Sequence, residues 1–218
     1  MKVGRWLAEL LYPSKCPFCG RLLEADEQGL CFRCQTTLPW TEAETDTGGV
    51  AGCQLCLAPL WYRNQVPDGV ARYKFQFGRM HERLFGTLMA QCLSDRWPEP
   101  VDLITWVPLS PRGLRRRGYD QSHLLACRVG TQLALPVMST LKKIRETKTQ
   151  SRIQDYRHRQ ANVAGAYACL PGLTLSGQTV VLVDDVHTSG ATLTQCARCL
   201  SGAGAAKIVA LTLARAGR

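Results

Sequence analysis

The sequence predicts an α/β protein: a parallel sheet with helices on both faces, joined to a small N-terminal Cys-rich module. Three observations predict it. Apolar runs at Val101 to Val107, Val180 to Val183 and Lys207 to Arg215 alternate with stretches whose apolar residues recur at helical spacing. These runs are nearly continuous, as expected of strands buried on both faces. Two Cys-x-x-Cys pairs, Cys16/Cys19 and Cys31/Cys34, precede them.

A chain of 218 residues holds one medium domain, or a domain plus a small module. The division is expected after residue 64, giving a module over 1–64 and a main domain over 65–218. There is no run of eighteen apolar residues, so no membrane span is expected. The start, Met1 to Tyr12, reads as a short amphipathic helix: Glu9 interrupts its apolar run, and no small-residue cleavage site follows. The net charge is +10 but uneven: residues 1–71 carry a net −2 and residues 112–159 a net +9. That concentration implies a polyanionic ligand, either a phosphorylated sugar or nucleic acid.

Eleven cysteines, an odd count, with repeated Cys-x-x-Cys pairs, argue for a reducing, cytoplasmic compartment and metal binding over a disulfide framework. Cys16-Pro-Phe-Cys19-Gly20 and Cys31-Phe-Arg-Cys34 are eleven residues apart. Two such knuckles complete a tetrahedral four-thiolate zinc site, which is structural because no position stays open. Zinc at Cys16, Cys19, Cys31 and Cys34 also explains how so short a segment orders itself. A third pair, Cys53/Cys56, has no fourth pair after it. It is either idle or replaces one of the first two as ligands. Thr41 to Gly49 is polar and Gly-ended, an exposed loop. Trp6 and Trp40 are assigned to the module core.

Met80, Leu84, Leu88 and Cys92 recur every four residues and predict a helix closed by Trp97-Pro-Glu-Pro100. The strand from Val101 stops at Pro108. The stretch Ser110 to Ser122 reads as a loop loosened by Gly113 and Gly118. It bears four arginines in six positions, Arg112, Arg115, Arg116 and Arg117, and so binds an anion through side-chain charge. Leu125, Val129 and Leu133 mark the next helix. Lys142 to Arg159 is basic and lacks a core-facing stripe, so it is a mobile loop leading into a short helix, or an exposed hairpin. Gly165 to Leu170 reads as an edge strand. Cys92, Cys127, Cys169 and the pair Cys196/Cys199 are packing thiols.

The most informative stretch is Val180-Val-Leu-Val-Asp-Asp-Val-His-Thr-Ser-Gly-Ala-Thr192. A buried strand ends at Asp184 and Asp185. Thr188, Ser189, Gly190, Ala191 and Thr192 then open a helix carrying Leu193, Cys196, Ala197 and Leu200. Free amides at a helix N-terminus bind an anion, and small side chains let a phosphate approach. Two adjacent acids serve something else: vicinal sugar hydroxyls, a magnesium ion, or both. His187 is a loop residue without an evident partner.

This stretch closely resembles the phosphoribosyl pyrophosphate (PRPP) signature of type I phosphoribosyltransferases. The resemblance implies that Thr188 to Thr192 hold the 5′-phosphate of Mg-PRPP and that Asp184 and Asp185 hold the ribose hydroxyls. Pro108, Leu109, Arg112 and Arg117 would surround the departing pyrophosphate. Tyr73-Lys-Phe75, Trp106-Val-Pro-Leu109, Arg117-Gly-Tyr-Asp-Gln121, Arg145-Glu-Thr-Lys-Thr-Gln150 and Arg157 with Asn162 occur in an order similar to the ComF/GntX family. That family also carries cysteine pairs ahead of a phosphoribosyltransferase-like domain. Two departures stand out: the family's frequent fourth Cys-x-x-Cys pair is absent, and its usual Arg-Gly-Phe-Asn-Gln reads Arg-Gly-Tyr-Asp-Gln here. The resemblance implies a role in uptake or utilisation of external DNA, with a helicase-like competence protein as a partner. It leaves two readings: a transferase acting on PRPP, or a non-catalytic sensor of PRPP or a nucleotide that binds single-stranded DNA.

Overall fold

The structure, a computed structural model, describes residues 14–42, 49–75, 78–147 and 161–217. The helix expected over Met1 to Tyr12, Trp6, most of the Thr41 to Gly49 loop and most of the basic segment before residue 160 lie outside these.

The elements in order are α1 (Phe32–Thr37), β1 (Leu55–Leu57), β2 (Leu60–Trp61), α2 (Val66–Phe75), α3 (Glu82–Arg96), β3 (Leu103–Trp106), α4 (Pro111–Arg117), α5 (Gln121–Leu133), β4 (Leu141–Lys143), β5 (Tyr167–Cys169), β6 (Thr179–His187), α6 (Ala191–Gly202) and β7 (Lys207–Arg215). A 3₁₀ turn, Gly78–His81, precedes α3. The main sheet runs β1-β7-β6-β3, every pairing is parallel, and β2 also pairs with β7. Strands β1 and β2 precede residue 65, so the sheet reaches back across the division expected from the sequence.

The strand residues face two apolar cores. Val181, Val183, Val209 and Leu211 pack with Tyr73 of α2, Phe85 and Met89 of α3, and Leu125 and Val129 of α5. Val180, Leu182, Ile208 and Ala210 pack on the other face with Leu193, Cys196 and Leu200 of α6. Helices therefore cover both faces, which is why the strands read as continuous apolar runs.

The structure corrects several local expectations. Strand β6 does not end at the acids. It runs to His187, with Asp184 opposite Thr212 and Val186 opposite Ala214, because the equally long β7 keeps offering ladder partners. The basic stretch after β3 is helical. Ser110 caps α4 by accepting the Gly113 amide, Pro111 fits the first turn, and Gly118 at φ 78° closes it left-handed. Helix α3 buries Phe85, Gly86, Met89, Ala90, Cys92 and Leu93, whereas Met80 is exposed. Of the expected stripe only Cys92 is fully buried; the helix is rotated so that Phe85 meets Tyr73 edge-on, ring centroids 5.4 Å apart. Strand β5 is not an edge of the main sheet; it forms a separate antiparallel pair with β4, so Lys142 and Lys143 are strand residues. Trp40 is exposed, its indole N–H donating to the Gln35 carbonyl.

In the N-terminal segment, Gly20 at φ 78° turns the first knuckle, and Cys31 caps α1, its Sγ accepting the Cys34 amide. The Sγ atoms of Cys16, Cys19, Cys31 and Cys34 all lie within 4.8 Å of one another. A zinc ion with bonds of about 2.3 Å would set such sulfurs roughly 3.8 Å apart, so the tetrad fits zinc. Burial opposes the Cys31 thiolate, but the Cys34 amide and neighbouring thiols hold its pKa down to about 7. Cys53 and Cys56 take no part in this tetrad; Cys56 is buried on β1. Cys16, Phe18, Cys31, Cys34 and Leu38 join the same apolar cluster as Phe85 and Tyr73.

Candidate phosphoribosyl site

Strands β3 and β6 are neighbours and parallel, with Trp106 opposite Val183. Their C-terminal ends therefore bring the segment after Trp106 beside Asp184 and Asp185. Parallel α/β sheets bind ligands at such ends.

Asp120 builds the first wall. Its carboxylate accepts the amides of Ser122 and His123, capping α5, and its other oxygen accepts the Leu109 amide at 2.9 Å. One side chain thus ties the Pro108-Leu109 turn to the α5 N-terminus. The next two residues reach the acids. Ser122 Oγ donates to Asp184 Oδ1 at 3.0 Å, and Gln121 Nε2 donates to Asp185 Oδ2 at 3.0 Å. Lys74, from the end of α2, places its Nζ 2.8 Å from Asp185 Oδ1. Asp185 is only 5% exposed, so both its oxygens are held by protein donors in a nearly dry setting. Asp184 accepts the Asp185 amide at 2.8 Å. Burial, and next the charge of Asp185, push its pKa up to about 7.

Helix α2 is anchored at the same place. The Tyr73 hydroxyl donates to the Gln121 carbonyl at 2.9 Å, and the Tyr119 hydroxyl donates to the Tyr73 carbonyl. Phe75, 66% exposed, lies 5.3 Å from the Arg117 guanidinium. Arg117 is half-buried, and among the described residues its Nε and Nη1 have no acceptor. Lys143 stands nearby, its ammonium 5.3 Å from the Tyr167 ring and its pKa lowered by burial. Two covered guanidinium nitrogens without an acceptor are costly uncompensated donors, the natural complement of an anion.

The small-residue loop is short. Thr188 is exposed, Ser189 accepts the Ala191 amide at 3.4 Å, and Gly190 caps α6 at φ 71°. A Cβ at Gly190 would sit 2.9 Å from His187 Nε2, so only glycine fits. His187 is thus buried beneath the loop. Its Nδ1 is 3.3 Å from Cys56 Sγ, and burial, with the charge of Arg215, lowers its pKa to about 4. A neutral imidazole supports the loop from below.

Asp184, Asp185, Arg117, Pro108, Leu109 and residues 188–192 therefore gather at one end of the sheet. Arg112, in the first turn of α4 after Pro108-Leu109, is exposed, as are Arg115 and Arg116. Of the four arginines of α4 only Arg117 is half-buried. Sequence reasoning gave no role to Lys74, Asp120, Gln121 or Ser122. The Tyr73-Lys-Phe75 and Arg117-Gly-Tyr-Asp-Gln121 motifs contain three of them, but only the fold shows that Lys74 and Gln121 meet Asp185 while Asp120 holds the Leu109 turn beside them. His187 and Cys56 are 131 positions apart and carried no joint signal.

Among the described residues, no helix is long and apolar enough to cross a membrane. Residues 121–218 match the phosphoribosyl transferase domain family. The chain is 32% identical over 207 residues to the DNA utilization protein YhgH of Salmonella typhi, covering 93% of this chain and 84% of that one. It is 25% identical over 203 residues to the competence protein ComFC of Bacillus subtilis, covering 92% and 77%. It is 27% identical over 226 residues to the competence protein F of Haemophilus influenzae, covering 93% and 97%. The chain belongs to the ComF family, a phosphoribosyltransferase-type domain preceded by paired cysteines that form a tetrad fit for zinc.

Proposed function

We propose that this protein binds PRPP, or a closely related ribose phosphate, at the ends of β3 and β6, and serves DNA uptake or utilisation. The observation that carries the reading is the pairing of two chemistries in one place. A buried Asp185 beside a half-buried Asp184 suits sugar hydroxyls, and at the same end of the sheet a half-buried Arg117 lacks an acceptor among the described residues. The loop Thr188 to Gly190 and the first amides of α6 would take the 5′-phosphate. Asp184 and Asp185 would accept the ribose hydroxyl protons. Arg117 and the Pro108-Leu109 turn would receive pyrophosphate and neutralise its charge as it leaves. Magnesium would enter with the pyrophosphate oxygens, which suit its hard, hydrated coordination. The acids themselves suit hydroxyl donors better than a metal ion, because Asp185 is already engaged on both oxygens. In a transfer reaction the sugar would develop oxocarbenium character, and fixed charge and positioning would supply most of the rate.

Calorimetric titration with Mg-PRPP tests this. Wild-type protein is expected to bind. Asp185→Ala is expected to weaken binding about 10- to 150-fold, the worth of a hydrogen bond to a charged group. Absence of heat from wild-type protein at high PRPP removes the reading.

A second reading is favoured by the solvent-facing guanidiniums of Arg112, Arg115 and Arg116. They would offer a cationic rim suited to single-stranded DNA. Replacing all three with alanine should weaken binding to an oligonucleotide and lower the slope of log affinity against log salt by about 2, at roughly 0.7 per phosphate. An unchanged slope excludes the rim.

A further inference from the structure

Two adjacent carboxylates in a partly dry site need a compensating positive charge. In this fold that charge comes from the chain itself. Lys74 Nζ is 2.8 Å from Asp185 Oδ1, its side chain only 22% exposed and that of Asp185 7%. The lysine is rigidly delivered. It is the penultimate residue of α2, and the residue before it, Tyr73, is fully buried and bonds the Gln121 carbonyl. Gln121 in turn donates its side-chain N–H to the other oxygen of Asp185. One oxygen thus meets an ammonium and the other an amide, each using one of two lone-pair directions. The directions left over are free for hydroxyl donors. Gln121 Oε1, in a residue 4% exposed, is also without a donor among the described residues, an acceptor waiting beside the acids.

We infer that Lys74 is the resident counter-cation of the acid pair, occupying the charge position that a divalent metal would otherwise take, so that the acids are open to sugar hydroxyls without a metal of their own. The inference rests on the ribose-phosphate reading for its ligand, but not for its first test. With Lys74 in place the site can never carry more than about one net negative charge, too little to strip water from a hard divalent ion. Without it, two neighbouring carboxylates at a strand end form the oxygen-rich, doubly charged set that such an ion selects.

The first test uses Mn²⁺, followed by electron paramagnetic resonance on the full-length, zinc-loaded protein. Wild type should show no site tighter than millimolar. Lys74→Met should gain one Mn²⁺ per chain, tighter by 10-fold or more. Lys74→Arg should not gain it, and Lys74→Met combined with Asp185→Asn should lose it. A Mn²⁺ site at the acids of wild type, or none gained by a folded Lys74→Met, overturns the inference. A melting curve checks folding, and Lys74→Gln, which keeps a donor on Asp185, replaces Lys74→Met if the latter does not fold.

The second test uses ribose 5-phosphate, which lacks pyrophosphate. Its affinity for wild type should not change with magnesium, whereas that for Lys74→Met should rise at least 5-fold. Magnesium dependence in wild type overturns the inference. If ribose 5-phosphate and PRPP both fail to bind wild type while the Mn²⁺ result holds, the ribose-phosphate reading falls and the counter-cation role stands.

Discussion

Replacing Cys34 with serine will strip zinc from the N-terminal segment and destabilise the whole chain. Four cysteine sulfurs within 4.8 Å of one another, three of them buried, are placed as the ligands of one tetrahedral cation. Structural zinc contributes on the order of 10 kcal/mol of folding free energy in small modules. Here the effect spreads, because Cys31, Cys34 and Phe18 share one apolar cluster with Phe85 and Tyr73, and Phe18 packs on Phe85 with ring centroids 5.3 Å apart. Tyr73 stands directly before Lys74, so loss of the tetrad also loosens the acid pair. The expected result is a fall in Tm of about 10 °C or more, since a chain of this size loses about 2–4 °C per kcal/mol. Elemental analysis should find one zinc per chain in wild type and in Cys53→Ser, and much less in Cys34→Ser. Equal zinc in Cys34→Ser, with an unchanged melting curve, would refute the tetrad as the stabilising centre.

Asp184→Asn will make the protein more stable above neutral pH and unable to hold its ligand tightly. The cause is the raised pKa of about 7 produced by burial and by the charge of Asp185. The native state binds a proton there that the unfolded chain, with its ordinary value of 3.8, has already lost. Stability contributed by this group is complete below pH 4. It declines as pH rises towards 7 and is gone above it. The difference of about three pKa units corresponds to a penalty on the order of 4 kcal/mol at pH 8. Asparagine keeps an acceptor for Ser122 and the Asp185 amide without the charge. Urea unfolding should therefore show a gain of a few kcal/mol at pH 8 that vanishes at pH 4. The same variant should bind PRPP at least tenfold more weakly, because a neutral amide is a poorer acceptor for a ribose hydroxyl. A stability difference that does not vary with pH would mean that Asp184 is not a strained ionised group. Such a site trades stability for a charge kept where the ligand needs it.

The legible parts of this protein were those governed by local physics. Continuous apolar runs mark the short strand β3 and the two long strands β6 and β7. The run Lys207 to Arg215 coincides with β7, whereas β6 extends beyond its apolar run to His187. A strand's apolar signal stops where polar residues begin, while its pairing continues as long as a neighbour offers amides and carbonyls. The α4 segment was misread because its arginines dominated the pattern, although Ser110, Pro111 and Gly118 spell the start and stop of a helix. The α3 face was misplaced because several apolar stripes ran along one helix, and the choice lay with Phe18 and Tyr73 around Phe85.

The sequence by itself determined the fold class, the cysteine tetrad, the acid pair and the small-residue loop, because each is written in contiguous or closely spaced residues whose types dictate their chemistry. Only the tertiary structure decided what surrounds those acids. Lys74, Gln121 and Ser122 lie 62 to 111 positions upstream of the acid each one meets and become its neighbours through parallel pairing and helix packing, and His187 meets Cys56 in the same way. Local propensity carries no information about such separations; they are fixed when the two apolar cores close against the sheet and leave its polar ends facing one another.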